Sequence, residues 1–234
     1  APLAGSAVIA VGGWRWVFAL MSVLAVALLG YARWALPDLP AAGSGKRTPL
    51  AAVWRLPGVR STLLVMALYV LAHNVLYTYI EPLALLAHAG AWLDRLLLVF
   101  GVSAIAGIAV AAWGVDQHLR ALVWAAVLGF AAAALALLLW PGRPQVLLLA
   151  TALWGLAFGA VPALFQTALA RRAGAAADLA QSMLVTGWNL AIAAGGVAGG
   201  LLLQTGGAQQ LAWLPLGLLL VCGAWLLARP RAWG

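Results

Sequence analysis

Residues Ser61–Ala87 read STLLVMALYVLAHNVLYTYIEPLALLA, and this stretch decides what kind of protein the chain is. Its single charged side chain is Glu81, near the far end. A helix needs about 20 mostly apolar residues to cross a hydrocarbon core of about 30 Å, and this run exceeds that length. It lacks the strict alternation of a barrel strand, so a spanning helix is predicted. Polar groups are nevertheless concentrated in it: His73, Asn74, Tyr77, Thr78, Tyr79 and Glu81.

The same pattern extends outward in both directions. Six further runs qualify as spans: Trp16–Leu36, Leu93–Val115, Ala121–Trp140, Val146–Ala170, Leu179–Gln204 and Leu211–Ala228. Three of them are closed by Pro37, Pro141 and Pro230, which cannot continue a helix. Over the whole chain 66% of residues are apolar and 8% charged, and the mean hydropathy is +1.04. Soluble domains carry about 25% charged residues, so an all-α membrane protein is predicted. Cys222 is the one cysteine, which excludes a disulfide within the chain.

The connections alternate in charge. One side carries Arg33, Lys46, Arg47, Arg55, Arg60, Arg120, Arg171, Arg172, Arg229 and Arg231; the other carries Arg15, Arg95 and Arg143. The richer side is expected in the cytoplasm, with the C-terminus there and the chain multi-pass in the inner or plasma membrane. The net charge of +8 is largely this topological signal. The charges are scattered over short loops rather than gathered on one module, which argues against nucleic acid as a partner.

Residues 37–60 form the longest connection, rich in Ala, Gly, Pro and basic residues. They are expected to link two bundles, and Leu50–Leu56 within them to form a short amphipathic helix at the membrane surface, its charge favouring anionic headgroups. Residues 1–13 are apolar and Gly-rich, and read as the tail of a helix that begins before Ala1.

One span, a long basic loop, then six spans: this order resembles the second half of a major facilitator superfamily transporter. Local sequence carries the same resemblance. Pro2-Leu3-Ala4-Gly5-Ser6 is similar to the tail of the GPxxGG antiporter motif, with Ser6 at its second glycine. Gly13-Trp14-Arg15-Trp16-Val17-Phe18 looks like the GWRW-F entry to helix six of drug:proton antiporters. Gly114 to Arg120 is similar to the G-xxx-D-R-x-G-R loop; it keeps Asp116 and Arg120 but lacks the arginine after the aspartate and the internal glycine. Tyr77 to Pro82, and Trp188-Asn189 with the glycines after them, resemble the arabinose-efflux-like and nucleoside-efflux-like branch.

The resemblance implies a fold of two six-helix halves. On it, residues 14–36 are the sixth helix, 37–60 the cytoplasmic inter-half linker, and 61–234 the C-terminal six-helix bundle, with the N-terminal half as a missing partner. It also implies proton-coupled efflux of a small organic molecule by alternating access, in the lipid bilayer and with no cofactor.

Ionisable and amide groups at membrane depth are costly, so each is a functional candidate. His73 and Tyr77 are four apart; Asn74, Thr78 and Glu81 form a neighbouring row. One broad face results, expected to line a cavity. Glu81 is the one acid lying within a span and away from its ends, and proton-coupled transport needs such a group; it either carries the proton or lies hydrated at the outer mouth, about 30 Å along the helix from Ser61. His73, nearer the middle, either carries a proton, contacts substrate, or is a neutral histidine bonded to a neighbouring helix. Trp188 and Asn189 lie mid-span, where the resemblance puts substrate, and Trp154 offers a further aromatic face; a tryptophan and an amide serving only packing fit equally. The substrate set is thus His73, Asn74, Tyr77, Trp154, Trp188 and Asn189, with Glu81 and His73 for proton coupling. Asp116 and Arg120 are placed for a cytoplasmic gate, or as a solvated loop pair. Gly195, Gly196, Gly199 and Gly200, and the pair Gly155 and Gly159, allow close helix approach, and Pro162 is expected to kink its span.

No metal is expected: His73, His88 and His118 fall at mid-span, at the outer end and in a cytoplasmic loop. No H-E-x-x-H, G-x-S-x-G or phosphate-binding loop is present, so neither an enzyme nor ATP-driven transport is encoded. A non-transporting fragment or assembly subunit is the alternative to a transporter.

Overall fold

The computed structural model describes residues 14–35 and 49–229. The Gly5-Ser6 motif, most of the inter-span loop with Lys46 and Arg47, and Arg231 lie outside the described residues. The chain divides into two units, residues 1–47 and 48–234.

The first unit contributes α1, Trp14–Ala35. It is an apolar helix without a core of its own; Trp16, Phe18, Leu24, Leu28 and Trp34 are all exposed. A helix that is apolar and exposed is matched to hydrocarbon rather than water.

The second unit is a helical bundle. Its helices are α2 (Leu50–Trp54), α3 (Val59–Thr78), α4 (Ile80–Leu86), α5 (Leu93–Leu139), α6 (Pro144–Gly159), α7 (Val161–Ala173), α8 (Ala177–Gly206) and α9 (Trp213–Ala228). No strand occurs among the described residues. The bundle is built around α3, which packs on α8, α9 and α7. Its side chains Val65, Met66, Tyr69, Val70, Val75 and Leu76 are all fully buried.

The predicted spans are present, but they begin and end differently. Ser61–Ala87, expected as one helix, is broken at Tyr79 (φ −113°, ψ 30°). The cause lies three residues on: Pro82 offers no N–H to the Thr78 carbonyl and its ring crowds that oxygen. Val146–Ala170 is likewise divided at Ala160, two residues before Pro162, although Leu164 still donates to the Ala160 carbonyl at 3.0 Å. The proline thus bends that span without ending it.

Leu93–Val115 and Ala121–Trp140, expected as two spans, form one helical run interrupted only at His118 (φ −125°, ψ 25°). The run nevertheless doubles back. Phe100 and Phe130 would lie about 45 Å apart in a straight helix, yet their ring centroids are 4.9 and 5.6 Å from the same Trp154 ring. His118 is therefore the point of reversal, and the two arms cross the membrane separately. At the other end of the second arm, Gly142 turns the chain with φ 81°, which a side chain would resist.

Two glycine seams set the closest helix approaches. A Cβ placed on Gly155 would lie 2.5 Å from the Phe100 carbonyl oxygen, and one on Gly159 would collide with Ala104. These weld α6 to the first arm of α5. On α8, a Cβ on Gly195 would lie 2.7 Å from the Asn74 Cβ, and one on Gly199 would lie 2.6 Å from the Tyr79 ring. The small residues let backbones meet where lipid supplies no hydrophobic drive between helices.

Candidate functional site

The polar row on α3 and the aromatic residues of α5 and α6 meet in one cluster. His73 is 6% exposed and sits at its centre. Its ring stacks on Phe158 (centroids 3.6 Å apart, 12° between planes) and on Tyr77 (5.2 Å, 21°). Phe100 and Trp154 close the sides at 5.8 and 5.2 Å. The Trp154 indole N–H donates to His73 Nδ1 at 3.1 Å, linking α6 to α3. An imidazole nitrogen that accepts carries no proton, so this bond holds His73 as the neutral tautomer protonated at Nε2. The buried indole N–H is thereby satisfied.

The cluster extends in two directions. Inward, Phe130 stacks on Trp154 and tilts against Tyr69, whose hydroxyl donates to the Ala126 carbonyl at 3.3 Å. Outward, Phe158 is half-buried and lies 6.3 Å from Trp188 of α8. Tyr77 is exposed, as is the neighbouring Thr78. The result is an aromatic wall with a rigid, hydrogen-bonded interior and an accessible rim.

Of the expected substrate residues, His73, Tyr77 and Trp154 are in direct ring contact, and Trp188 joins through Phe158. Asn74 is turned elsewhere. It is buried in the α3–α8 seam against Gly195, and its amide donates to the Val70 carbonyl of its own helix at 2.9 Å. The adjacent polar rows therefore do not line one cavity: the glycine groove of α8 captures Asn74. Asn189 is exposed, with its amide on the Val185 carbonyl at 2.8 Å.

Glu81 is exposed and occupies the first turn of α4, beyond the Tyr79 break. It therefore starts a separate short helix rather than continuing the long one. Asp116 pairs with Arg171 of α7 at 3.1 Å, and Arg120 lies exposed on the far side of the His118 reversal. Arg171 also donates to the Asp116 carbonyl at 2.8 Å, tying α7 to the backbone just before the reversal. Both side chains are solvent-accessible, so the pair contributes at most about 1 kcal/mol. Sequence spacing missed Arg171 because it lies 55 residues away. Phe100 and Phe130 were missed as well; as apolar residues within apolar spans they carry no distinguishing signal. Among the described residues no three His, Cys, Asp or Glu side chains gather as a metal site would require.

Long apolar helices, glycine seams and a buried polar centre define a multi-pass helical membrane protein. The family profile described as Major Facilitator Superfamily matches residues 1–178. The chain belongs to the Major Facilitator Superfamily. It is similar to curated proteins named purine ribonucleoside efflux pump NepI. Those of Salmonella paratyphi B and Salmonella typhimurium are each 29% identical over 234 residues, covering 99% of this chain and 58% of their own length. That of Salmonella enteritidis PT4 is 29% identical over 210 residues, covering 88% of this chain and 52% of its own length. The chain thus spans little more than half the length of these relatives.

Proposed function

We propose that this chain is part of a secondary transporter that exports a small organic molecule bearing a planar ring, of the purine ribonucleoside class, by alternating access. The observation that carries the reading is the aromatic wall around His73. Its rim of Tyr77, Phe158 and Trp188 offers flat faces for a base to stack on, and Asn189 and Thr78 offer amide and hydroxyl groups for a sugar. The names of the relatives support the same class. In this reading α1 is the sixth helix, the basic loop joins two halves, and the six crossings that begin with α3 form the second half, with the C-terminus in the cytoplasm. Family membership supports transport rather than enzymatic chemistry.

Proton coupling is assigned to Glu81. Its support is an exposed carboxylate just past a helix break, close in sequence to the Tyr77 rim. His73 suits the carrier role less well, since a proton on Nδ1 would displace the Trp154 bond. Asp116, now with Arg171 rather than Arg120, is assigned to a gate at the basic face of the bundle.

The test is uptake of radiolabelled inosine or guanosine into inverted vesicles containing the full-length protein. Tyr77→Ala is expected to raise KM about tenfold, the loss of one stacking partner worth about 1.4 kcal/mol. Glu81→Gln is expected to abolish accumulation driven by a pH gradient while leaving exchange of labelled for unlabelled nucleoside intact. Uptake indifferent to Tyr77→Ala, or gradient-driven accumulation unchanged in Glu81→Gln, would refute the respective assignment.

A further inference from the structure

A second feature lies away from the aromatic wall. A groove of about 970 Å³ runs between α3, α8 and α9 and is flanked by α2. Its walls are largely apolar, among them Leu50 and Trp54 of α2, Leu64 of α3, Leu190 of α8 and Trp225 of α9. Two cations lie on its lining, Arg60 and Arg229, both exposed.

Trp225 joins the two helix ends that carry them. The Trp225 indole donates to Ser61 Oγ at 3.2 Å, next to Arg60 in the chain, and the Arg229 guanidinium carbon lies 5.7 Å from the centroid of the Trp225 ring. Both charges are thus gathered at one end. The length of the groove is equally telling. On α8 the wall runs from Leu179 to Leu190, about 16 Å at 1.5 Å per residue. One leaflet of hydrocarbon is about 15 Å deep, half of the full core. The helix α2 is held in place by Val53, which is fully buried, while Leu50 and Trp54 remain exposed along the rim.

We infer that this groove is a binding site for an anionic glycerophospholipid of the leaflet on the basic side of the membrane. Acyl chains fill the apolar length, and the phosphate lies between Arg60 and Arg229. Charge at one end, apolar walls and a depth of one leaflet together match an amphiphile of that sign and size. Neither a free anion nor a neutral solute uses all three. The site is independent of the transport reading, since it involves none of the residues assigned to substrate or proton.

Native mass spectrometry on the purified full-length protein tests it. The protein is titrated with phosphatidylglycerol, with phosphatidylcholine of identical chains, and with inorganic phosphate. Phosphatidylglycerol is expected to bind at least fivefold more tightly than phosphatidylcholine, with no retention of phosphate alone. The double variant Arg60→Gln, Arg229→Gln is expected to abolish that preference, while Arg95→Gln, in the first turn of α5 at the other end of the bundle, keeps it. Thr186→Trp, which fills the exposed wall, is expected to weaken both lipids. Equal binding of the two lipids, or a preference that survives the double variant, would overturn the assignment. So would retention of neither lipid, the result expected if a protein segment covers the groove. Retention of phosphate as strong as that of the lipid would reduce the site to an anion contact and overturn it as well.

Discussion

Two helices of nearly equal hydropathy meet opposite fates in this molecule. α1 and α3 have nearly the same mean hydropathy, yet α1 buries nothing within its own unit while most of α3 is buried within the bundle. Hydropathy therefore states that both cross a membrane and says nothing about what each touches. The difference lies in the residues that hydropathy counts against a span. The middle of α3 carries Tyr69, His73 and Asn74, which find partners on the second arm of α5, on α6 and on α3 itself. Between Phe18 and Gly30, α1 has only Ser22 as a polar side chain. In lipid, the polar and small residues mark the buried face, and the leucines mark little.

The contrast can be broken experimentally, and the largest effect is expected at the seam that holds α3. Gly195→Leu drives a side chain into the Leu71 carbonyl oxygen and the Asn74 Cβ, atoms that cannot yield without moving the helix. Loss of folded protein on size-exclusion chromatography in detergent is expected, a cost of at least about 3 kcal/mol. A matched pair of truncations gives the next effect. Leu76→Ala, on a fully buried α3 side chain, is expected to cost about 2–4 kcal/mol of unfolding free energy. Leu24→Ala on α1, where the side chain is 54% exposed, is expected to change it by less than about 0.5 kcal/mol. Equal costs for the two would show that α1 is packed against protein and would end the comparison. The smallest effect belongs to Asp116→Asn: a loss below about 1 kcal/mol that disappears when thermal stability is measured at 1 M salt.

Much of the fold was legible for simple reasons. The span count followed from runs of apolar residues, and the bend before Pro162 followed from a missing N–H. The same logic applied to Pro82 would have placed the break at Tyr79, since the proline was visible in the sequence. The reversal at His118 was expected as a loop and is instead a single non-helical residue, beside which Arg171 of α7 binds Asp116. The candidate site was legible in its parts but not in its assembly. His73, Tyr77 and Trp154 stood out as polar or aromatic residues at membrane depth. That Trp154 donates to a histidine 81 residues away depends on how α6 is rotated in the bundle, and Gly155 and Gly159 fix that helix against the first arm of α5. Asn74 was misplaced for the same reason: the glycines of α8 were read as a seam, but nothing in the sequence said which row of α3 they would receive.

The seam between α3 and α8 has a mechanical consequence. Interlocked side chains hold two helices in register like teeth, and moving one along the other means climbing from notch to notch. Gly195 and Gly199 leave α8 toothless where Asn74 and Tyr79 lie against it. The Tyr79 hydroxyl adds a catch along that track: it donates to the Gly196 carbonyl at 2.7 Å at the point where the helix is broken. That bond ties the broken end of α3 to α8, and the buried Ile80, Leu83 and Ala84 seat α4 beside it, so the break is an anchored joint rather than a loose end.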